Sequence, residues 1–544
     1  MKALKEEYDV IVVGAGINGI GIARDVALRG LSVLLIERED ICAGVSAWSG
    51  RLIHGGLRYL EHLDFGLVHE SLVERERLLK QAPHLVKPVP LIMPVYSHNK
   101  RPLWMVELGM VLYDLLSLRK TPPTHRLLSK LATIKRFPGI AHEGLKSSVL
   151  FYDAQVELAE RLCVELVLDA VAHGAQIRTH ARVDRPILVE GVLVGISFID
   201  ALTGIRSDVG ASIVINAAGP WIDNIFSDLI NPQPRLNGGT KGSHLVVDRF
   251  PGSPNEVVYY ESKSDGRLIL VIPWLGKYMI GTTDIRFDSD PALARCDIGE
   301  VDYLLAGVNA LVPEAKLSLK DVLYTFSGVR PLPYEPEKAE SSVTRSHILF
   351  DHQDTGMPGL VSVVGGKLTT FRQLAEDAGK MIVKKLGRGE IRCQTRNRNL
   401  PGAVNYSSED LKMKLKSSGL SDLITNRLHS LYGVRALQIA EVINADSLSS
   451  EVVMADIGLT VGEIRFTFAH EFVQTLTDLL ARRLLVAFHP GHGLNCIERI
   501  AAVVALESGW NEADIEREIA DYREWLDHLA IPNATGPRSN SFGS

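Results

Sequence analysis

The fold is decided by the stretch VIVVGAGING at residues 10–19, which joins a short apolar run to a glycine-rich turn. The β-branched run predicts a buried strand, and the periodicity of residues 20–28 predicts a helix. A second apolar strand is predicted over residues 32–36 and is followed by Glu37. A strand, a glycine-rich turn, a helix and a second strand in this order predict a Rossmann-like α/β unit.

The glycine spacing in this stretch, G-x-G-x-x-G, is typical of a dinucleotide site. Gly14 permits the tight turn, Gly16 lets the backbone approach a pyrophosphate, and Gly19 lets the helix pack on the strand. The first N–H groups of the helix then face the anion. Asn18 lies in the same turn, and Glu37 is placed to accept hydrogen bonds from a ribose. We therefore expect dinucleotide binding here; the alternative is a glycine turn that binds no ligand.

The composition of the chain is that of an ordinary globular protein. Its 544 residues are 46% hydrophobic and 23% charged, enough chain for several domains. The net charge of −6 argues against a nucleic-acid-binding protein, which usually carries an excess of basic residues. The five cysteines form no C-x-x-C pattern, so we expect a reduced, cytoplasmic protein without a structural metal. Too few residues precede the first strand to form a signal peptide.

Residues 103–118 predict an apolar helix that is too short for the ~20 residues needed to span a bilayer. Basic residues flank it, at Lys100 and Arg101 on one side and at Arg119 and Lys120 on the other. An apolar stripe with basic flanks can lie in a membrane interface. The pattern alone favours the other interpretation, in which the stripe packs on the rest of the protein. The stripe consists of Trp104, Leu108, Val111, Leu112 and Leu115.

Two further stretches bring glycines and polar side chains together. Residues 40–51 are rich in small residues and predict a loop, which leads into LIHGGLRYL at residues 52–60. Residues 360–364 predict a buried strand that runs into GGKLTT at residues 365–370 and then into a helix. This junction repeats the logic of the first one, since a helix N-terminus attracts electron-rich groups. For each stretch the alternative is a glycine turn without a ligand.

Three stretches together resemble one family. GAGINGIGIARD at residues 14–25, RLIHGGLRYLE at residues 51–61 and GGKLTTFR at residues 365–372 are similar to the FAD-dependent sn-glycerol-3-phosphate dehydrogenases. The resemblance runs from about residue 8 to about residue 396 and is looser over the C-terminal part. It implies an enzyme that oxidises the 2-hydroxyl of glycerol 3-phosphate to dihydroxyacetone phosphate, with hydride transfer to N5 of FAD.

The respiratory branch of this family passes its electrons to quinone at a membrane face. The resemblance therefore implies quinone as the acceptor and a cytoplasmic protein that is peripheral on the inner face of the cell membrane. It also strengthens the interpretation of residues 103–118 as a docking helix. We expect no nucleic-acid partner, and a homo-oligomer is left open.

The patterns and the resemblance together predict an α/β fold with three kinds of domain. A Rossmann-like FAD-binding domain is assembled from three parts of the chain, an antiparallel β-rich domain binds substrate, and an α-helical domain follows. A long helix is predicted over residues 153–172 and a strand over residues 176–183. The predicted bounds are 1–95, 150–225 and 320–395 for the FAD-binding domain, 96–149 for a substrate- and membrane-side segment, 226–319 for the β-rich domain, 396–531 for the helical C-terminal domain and 532–544 for a disordered tail.

The implied chemistry requires cations for the phosphate and a base for the 2-hydroxyl. Arginine suits a phosphate through its bidentate fork, and Arg330 matches the family's active-site arginine. His54 is the candidate base because its unperturbed pKa lies close to neutral. The alternative is that His54 only positions substrate or flavin, while Arg330 or Lys367 stabilises the developing alkoxide. Substrate contacts are predicted at Arg58, Tyr59, Arg330, Arg345 and Lys367, and for Arg345 a surface ion pair is the alternative.

The implied cofactor contacts extend beyond the first turn. The loop at residues 45–51 is expected along the flavin phosphates and ring, although Trp48 and Gly50 depart from the family's Ser- and Thr-rich pattern. The helix start at residues 366–370 is expected to place its N–H groups under the pyrimidine edge of the flavin, where they stabilise negative charge. The further predicted FAD contacts are Ser46, Ser49, Leu52, Val183, Ala218, Gly219, Gly366, Lys367, Leu368 and Thr369.

Three other functions stay open from the sequence. The first is a glycerol-3-phosphate oxidase that passes electrons to oxygen, because oxygen access depends on cavity shape. The second is an FAD-dependent hydroxy-acid or amine oxidoreductase; the set of cations favours a phosphate, although a carboxylate suits one arginine. The third is a flavin-binding partner module without redox activity, and the presence of His54, Arg330 and Lys367 counts against it.

Overall fold

The computed structural model describes residues 3–117, 120–226, 234–338 and 343–533. Within these ranges the side chains of Arg58 and His62 are not described. The predicted tail, 532–544, lies outside the described residues from residue 534 onward. The described chain forms two large sheets and a helical C-terminal region.

Most strands lie in the first two-thirds of the chain, where β-branched and aromatic runs recur. In chain order they are β1 (Glu7–Val13), β2 (Val33–Ile36), β3 (Leu52–Ile53), β4 (Val86–Tyr96), β5 (Arg126–Ser129), β6 (Leu145–Val156), β7 (Gln176–Arg178), β8 (Ala181–Val189), β9 (Val192–Asp200), β10 (Arg206–Asn216), β11 (Thr240–Val247), β12 (Val257–Glu261), β13 (Leu268–Trp274), β14 (Lys277–Gly281), β15 (Ile285–Arg286), β16 (Val322–Arg330), β17 (Ile348–Asp351), β18 (Leu360–Val364), β19 (Val452–Met454) and β20 (Leu459–Thr460).

Several helices start at a capping side chain. Asp64, Ser407 and Asn511 each accept a hydrogen bond from a backbone N–H in the first turn. The helices are α1 (Ile17–Leu28), α2 (Phe65–Gln81), α3 (Leu103–Leu116), α4 (Lys130–Arg136), α5 (Ala159–Ala172), α6 (Ile298–Leu311), α7 (Phe371–Lys385), α8 (Ser408–Ser417), α9 (Asp422–Tyr432), α10 (Ala436–Ile443), α11 (Val461–His470), α12 (Ile497–Ser508) and α13 (Glu512–Trp525).

The first sheet is the Rossmann-like unit. Strands β7, β2, β1, β10 and β18 are parallel neighbours in that order, and β17 adds an antiparallel edge beside β18. Helices α1, α5 and α7 pack together and share one apolar core with β1 and β2. The parallel strands at the centre are buried on both faces, as is usual where helices cover a sheet. The predicted strand, turn, helix and strand of residues 10–36 are confirmed.

The second sheet confirms the predicted antiparallel strands of the β-rich region. The pairing runs β12–β13–β14–β11 and is antiparallel throughout. Strand β4 continues the sheet by pairing parallel with β12, and β6 pairs with β4. Strand β16 pairs with β11, which places Arg330 on this sheet. The sheet therefore draws on chain from before and after the β-rich segment, through pairings that local patterns do not reveal.

Two element predictions are wrong. The helix predicted over residues 153–172 begins only at Ala159, because residues 145–156 form the buried strand β6. An apolar run of a few residues fits the periodicity of a helix and also that of a strand. Here the pairing of β6 with β4 selects the strand. The single strand predicted over residues 176–183 is two strands, β7 and β8, which are separated near His180, where φ is +54°.

The C-terminal region is helical, as predicted, and it packs directly on the first sheet's helical layer. It contains helices α8–α13, and a π-helical turn at Asp478–Arg483 lies between α11 and α12. Arg161 of α5 donates from Nη2 to Glu471 Oε1 at 2.8 Å, and both side chains are fully buried. A buried ion pair therefore joins the two parts of the chain.

Helix α3 confirms the helix predicted at residues 103–118 but presents its apolar stripe to solvent. The exposed fractions of Trp104, Leu108 and Leu115 are 66%, 54% and 56%. The expectation that this stripe packs on the rest of the protein is therefore wrong. Within the described residues, no helix combines the length and the apolarity that crossing a bilayer requires. The opposite, buried face of α3 consists of Val106, Met110 and Tyr113.

Candidate active site

A cavity of about 1180 Å³ is lined by residues of both sheets. Its wall includes the glycine turn after β1 and the loop after β10. It also includes residues of β11, β13 and β16 in the second sheet. Open α/β sheets bind ligands outside the carboxyl ends of their parallel strands, and this cavity lies there.

The turn after β1 allows close approach of the backbone to a ligand. Gly14 has a φ of +105°, and a Cβ there would lie 2.6 Å from the carbonyl oxygen of Ala217. A Cβ on Gly19 would overlap the carbonyl oxygen of Gly14, so the first turn of α1 packs directly on the end of β1. Gly16 immediately precedes α1 and lines the cavity. The N-terminus of α1 is therefore open to an anion in the cavity.

Glu37 directly follows β2 and lines the same cavity. Its carboxylate accepts hydrogen bonds from the backbone N–H groups of Ala15 and Glu39, at 2.7 and 3.0 Å. Burial raises the pKa of Glu37, and these two hydrogen bonds oppose that effect. The carboxylate thereby ties the glycine turn to the end of the second strand.

A second glycine turn, at Gly365 and Gly366, lies against the first one. Both glycines have positive φ, +74° and +91°, and the chain enters α7 at Phe371. Asn18 donates from Nδ2 to the carbonyl oxygen of Gly365 at 3.2 Å. Its Oδ1 is buried and has no hydrogen-bond partner among the described residues. The starts of α1 and α7 therefore belong to one wall of the cavity.

The loop between β2 and β3 forms a further part of the wall. Ser46 Oγ accepts a hydrogen bond from the backbone N–H of Ile17 at 3.0 Å. This contact holds the loop to the first turn of α1. Ser49 lines the cavity, as does Leu52, where β3 begins.

His54 follows β3, and its backbone N–H donates to Thr369 Oγ1 at 3.1 Å. Burial and the nearby Lys367 ammonium lower the pKa of His54 to about 4. The pKa of His54 therefore lies below the near-neutral unperturbed value of histidine, because the imidazolium form loses its hydration here. At neutral pH His54 is uncharged, which is the form that accepts a proton.

Lys367 lies beside an aromatic ring at the second glycine turn. Its Nζ donates a hydrogen bond to Ser71 Oγ at 2.7 Å and lies 4.5 Å from the centre of the Tyr59 ring. Burial lowers the pKa of Lys367 to about 7, although nearby carboxylates oppose this. The amine therefore changes its charge close to neutral pH.

Arg330 ends β16, and residues between β14 and β15 hold its guanidinium. Its Nη1 donates to Asp284 Oδ1 and its Nη2 donates to Thr282 Oγ1, both at 2.9 Å. The guanidinium lies over Gly242 of β11, where a Cβ would overlap it. Arg345 donates from Nη2 to the other oxygen, Asp284 Oδ2, at 3.3 Å. Two arginines therefore converge on one carboxylate at the cavity wall.

Arg345 makes an ion pair, as the alternative for this residue proposed, but within the cavity wall rather than on an open surface. Only 14% of its side chain is exposed. The side chain of Arg58 lies outside the part of the chain that the structure describes. Its backbone belongs to a short 3-10 helix at residues 57–62, which begins after Gly56 with a φ of +80°.

The cavity wall also contains polar residues that the sequence analysis did not select. His244 of β11 lies two residues after Gly242 and hence on the same strand face as the Arg330 guanidinium. Its Nδ1 is buried without a partner among the described residues, and burial lowers the pKa of His244 to about 3. Asp284 and Thr282 fix Arg330. His244 belongs to the run KGSH at residues 241–244, and Thr282 and Asp284 belong to the run GTTD at residues 281–284. Only strand pairing brings these three residues to Arg330.

The predicted residues come together in this one cavity. His54, Tyr59, Arg330 and Arg345 line it. Among the predicted cofactor contacts, Gly19 is buried behind Gly14 and does not line the cavity. Those that line it are Gly14, Gly16, Asn18, Glu37, Ser46, Ser49, Leu52, Val183, Ala218, Gly219, Gly366, Lys367, Leu368 and Thr369.

Comparison with known proteins gives matches over nearly the whole chain. Residues 9–372 match the family model described as FAD dependent oxidoreductase. Residues 393–515 match the model described as the C-terminal domain of alpha-glycerophosphate oxidase. A glycerol-3-phosphate dehydrogenase of Synechocystis is 41% identical over 97% of this chain and 97% of its own length. The aerobic glycerol-3-phosphate dehydrogenase of Escherichia coli is 35% identical over 88% of this chain and 94% of its own length.

Solved structures show the same likeness. The glycerol-3-phosphate dehydrogenase of Bacillus halodurans, complexed with FAD, has a TM-score of 0.79 and 27% identity. The match covers 98% of this chain and 97% of that one. Glycine oxidase from Geobacillus kaustophilus has a TM-score of 0.53 and 18% identity, over 73% of this chain and 99% of its own. At that identity the second likeness concerns the fold alone.

Proposed function

Because the chain belongs to the family of FAD-dependent glycerol-3-phosphate dehydrogenases, we propose that its cavity binds FAD together with sn-glycerol 3-phosphate. The substrate is oxidised at C2 to dihydroxyacetone phosphate. The observation that carries this proposal is one cavity whose wall combines a dinucleotide turn with three cations, Lys367, Arg330 and Arg345. Cations of this kind suit a phosphate, and arginine adds a bidentate fork.

The residues of the cavity fit FAD. Its volume of about 1180 Å³ exceeds the roughly 300–1,000 Å³ of a typical small-molecule site, as a dinucleotide and a substrate together require. Gly16 and the N-terminus of α1 would hold the pyrophosphate, and Glu37 would hold a ribose. The buried Oδ1 of Asn18 offers an acceptor that no described residue uses. When bound, FAD supplies a hydride acceptor, which protein side chains lack.

The phosphate of the substrate is bound by the cations of the wall. Arg330 and Arg345 both pair with the Asp284 carboxylate and both line the cavity, where their guanidinium N–H groups suit the oxygens of a phosphate. The hydrogen bonds of Arg330 to Asp284 and Thr282 hold its guanidinium before substrate arrives. Such preorganisation avoids a cost in ordering the side chain on binding. Lys367 adds a third cation in its ammonium form.

The proton of the 2-hydroxyl passes to a group in the same wall. His54 is uncharged at neutral pH, so its imidazole can accept the proton. A bound phosphate brings negative charge close to His54 and Lys367 and thereby raises the pKa of both groups. His54 becomes a stronger base in the complex, while Lys367 gains protonation and stabilises the developing alkoxide.

Quinone is the electron acceptor that we propose, and turnover under two atmospheres tests it. With sn-glycerol 3-phosphate and a soluble quinone analogue under argon, we expect dihydroxyacetone phosphate to accumulate with an equal amount of quinol. With oxygen as the only acceptor, turnover should be at least about tenfold slower. Hydrogen peroxide formed from oxygen at the quinone-dependent rate would show an oxidase instead. No ketone product under either condition would contradict the proposed reaction.

A surface beside the cavity suits a lipid bilayer. The exposed stripe of α3 is flanked by Lys100 before it and Lys120 after it. The 3-10 helix at residues 57–62 contacts α3, and the next residue, Leu63, is 72% exposed and lines the cavity. An apolar stripe with basic flanks can lie in a membrane interface, where anionic headgroups attract its charges. We therefore place α3 on the inner face of the cell membrane, where an apolar quinone reaches the cavity.

Vesicle binding tests this surface. The double substitution Trp104→Ser and Leu108→Ser removes two exposed apolar side chains of α3 and should weaken binding to anionic phospholipid vesicles by at least about tenfold. Turnover with a soluble quinone analogue should stay unchanged. The control is Leu506→Ser, which removes a 69% exposed leucine of α12 and should leave vesicle binding unaltered. Equal sedimentation of both variants with vesicles would place the membrane surface elsewhere.

A further inference from the structure

We propose that the C-terminal helical region positions the loop at residues 38–51, and with it the FAD site, through two contacts. One contact is the ion pair between Arg483 and Asp40, and the other is the ring stack between Trp525 and Trp48. Arg483 and Trp525 are positioning residues, because they act on the cofactor site through the loop. This role goes beyond the proposed reaction and rests on it only for the binding of FAD.

The ion pair joins the π-helical turn at Asp478–Arg483 to the segment after β2. Nη1 and Nη2 of Arg483 donate to the two carboxylate oxygens of Asp40 at 2.7 and 2.8 Å. The exposed fractions of the two side chains are 0% and 1%. Arg483 is itself fixed, since its Nε donates to the carbonyl oxygen of Glu471 at 2.8 Å. Loss of Arg483 removes both of these hydrogen bonds from the buried Asp40 carboxylate and leaves Arg482, whose Nε is 4.0 Å from Asp40 Oδ2, as a weaker partner, so we expect the loop to move.

The ring stack joins the end of α13 to the middle of the same loop. The ring centres of Trp48 and Trp525 are 6.0 Å apart with an angle of 25° between the planes, and those of Trp48 and His528 are 6.1 Å apart and parallel within 1°. The segment after α13 is fixed in turn, because Thr325 Oγ1 donates to the carbonyl oxygen of Ala530 at 2.6 Å. Offset ring pairs at such distances are attractive beyond their buried area.

The loop is one layer of chain between these contacts and the cavity. Trp48 contacts Trp525 and also lines the cavity, and Ser46 holds the N-terminal turn of α1. Apart from Trp48, the residues between Asp40 and Arg51 are mostly small, so the loop has few large apolar side chains to fix it. Trp48 is also, with Gly50, one of the two residues that depart from the family's Ser- and Thr-rich pattern. The large side chain of Trp48 is therefore explained by its ring contacts with Trp525 and His528 of the helical region.

The dissociation constant of FAD tests the role of these contacts without relying on turnover. The protein is stripped of flavin, and rebinding of FAD is followed by quenching of flavin fluorescence. Binding by the unaltered protein is measured first; its absence would refute the proposed cofactor site. Variants that bind FAD as tightly as the unaltered protein would refute only the positioning role.

Two variants and two matched controls decide the outcome. Trp525→Ala and Arg483→Met should each raise the dissociation constant of FAD by about tenfold. Trp510→Ala and Arg427→Met remove a half-buried tryptophan and a partly buried ion pair with Glu463 within the same helical region, and should change it less than twofold. Trp525→Phe keeps a ring and should restore most of the affinity. Equal effects of variants and controls would overturn the inference.

Conservative variants keep the test decisive if the larger changes prevent folding. Arg483→Lys keeps the charge but loses the bidentate geometry, and Trp48→Phe keeps a smaller ring. Each should raise the dissociation constant of FAD by about threefold, with an unchanged far-ultraviolet circular dichroism spectrum. No rise in either variant would contradict the positioning role.

Discussion

The charge of Lys367 near neutral pH depends on its burial in the cavity wall. Burial lowers the pKa of Lys367 to about 7, so the substrate-free enzyme loses the ammonium as pH rises through that value. The pH dependence of kcat/KM reports groups of the free enzyme, and we expect it to fall about tenfold per unit well above pH 7. In Lys367→Arg the side chain stays charged, so this fall should be absent up to pH 9. A falling limb that Lys367→Arg leaves unchanged would assign it to another group.

Substitution of Arg330 tests where the phosphate of the substrate binds. Arg330→Met removes a cation that hydrogen bonds to Asp284 and Thr282 help to hold in place, and kcat/KM for sn-glycerol 3-phosphate should fall by about 10²–10³-fold. Arg330→Lys keeps the charge without the fork and should recover less than about tenfold of the loss. Arg206→Met, on the half-exposed hairpin strand β10, is the control and should change kcat/KM less than twofold. An Arg330→Met enzyme with near-normal kcat/KM would show that the phosphate binds elsewhere.

Motifs in the sequence identify candidate site residues, but not the pKa values or contacts that these residues have in the folded protein. Gly14, His54 and Lys367 could be selected from motifs, because each motif carries a geometric or chemical requirement of its own. The lowered pKa of His54 could not, since it follows from burial beneath segments far away in the chain. Asp284 was missed for the same reason, because only the pairing of β11 with β14 and β16 brings it to Arg330.

We expect cofactor binding to depend on the junction between β1 and α1. Gly14→Ala places a Cβ 2.6 Å from the carbonyl oxygen of Ala217, at a φ of +105°. We expect this variant to lose about 1–3 kcal/mol of unfolding free energy and to bind FAD at least about tenfold more weakly. Chemical denaturation and fluorescence titration with FAD measure the two effects.

Gly30, just beyond the end of the same helix, gives the matched control. Its φ is +79°, and no heavy atom lies within 4 Å of a Cβ built there. Gly30→Ala should therefore cost only the backbone strain of about 1–2 kcal/mol and should leave FAD affinity unchanged. If Gly30→Ala lost as much FAD affinity as Gly14→Ala, the overall stability of the protein, rather than the geometry of the turn, would determine FAD binding.

The sequence periodicity of α3 predicts a helix but does not determine what its apolar stripe contacts. Its periodicity predicted the helix and its apolar stripe, but one apolar face suits either protein or lipid as its partner. The structure buries the face with Val106 and Met110 and exposes the face with Trp104 and Leu108. Contacts with α2 and the 3-10 helix at residues 57–62, which are remote from the stripe itself, decide the orientation.

At the scale of the whole molecule, buried ion pairs join the helical C-terminal region to the FAD-binding part. Glu471 accepts hydrogen bonds from Arg161, and it also pairs with Arg435 at 2.8 Å. These arginines hold the pKa of Glu471 down at about 2, below its usual 4.5. Because the pKa is lower in the folded state, this stabilisation is complete above about pH 4.5 and is lost as pH falls towards 2.

Glu471→Gln should therefore lower the free energy of unfolding by about 3 kcal/mol at pH 7, and the difference from the unaltered protein should narrow towards pH 3. Urea unfolding followed by circular dichroism at the two pH values measures it. Glu451→Gln, which removes an exposed pair with Arg499 in the same region, should have no measurable effect. If Glu471→Gln lowered the free energy of unfolding by the same amount at both pH values, packing rather than charge would account for the contribution of Glu471 to stability.

The architecture of the whole molecule is the part that local patterns reveal least. The nucleotide-binding unit and the helical C-terminal region follow from patterns within short windows. The second sheet does not, because β4 pairs with β12 and β16 pairs with β11 across long separations in the chain. Those strands form the part of the cavity wall that contains Arg330. Its cations could thus be named from motifs, but their arrangement required the folded chain.

Anaerobic reduction of the bound flavin tests the central claim most directly. The holoenzyme is mixed with sn-glycerol 3-phosphate in a stopped-flow instrument, and absorbance is followed near 450 nm, roughly where oxidised flavin absorbs. Glycerol and a 2-hydroxy acid serve as controls that lack the phosphate. We predict rapid bleaching with the phosphate ester and none with the controls. A flavin that stays oxidised with sn-glycerol 3-phosphate but bleaches with the hydroxy acid would mean that the arginines recognise a carboxylate.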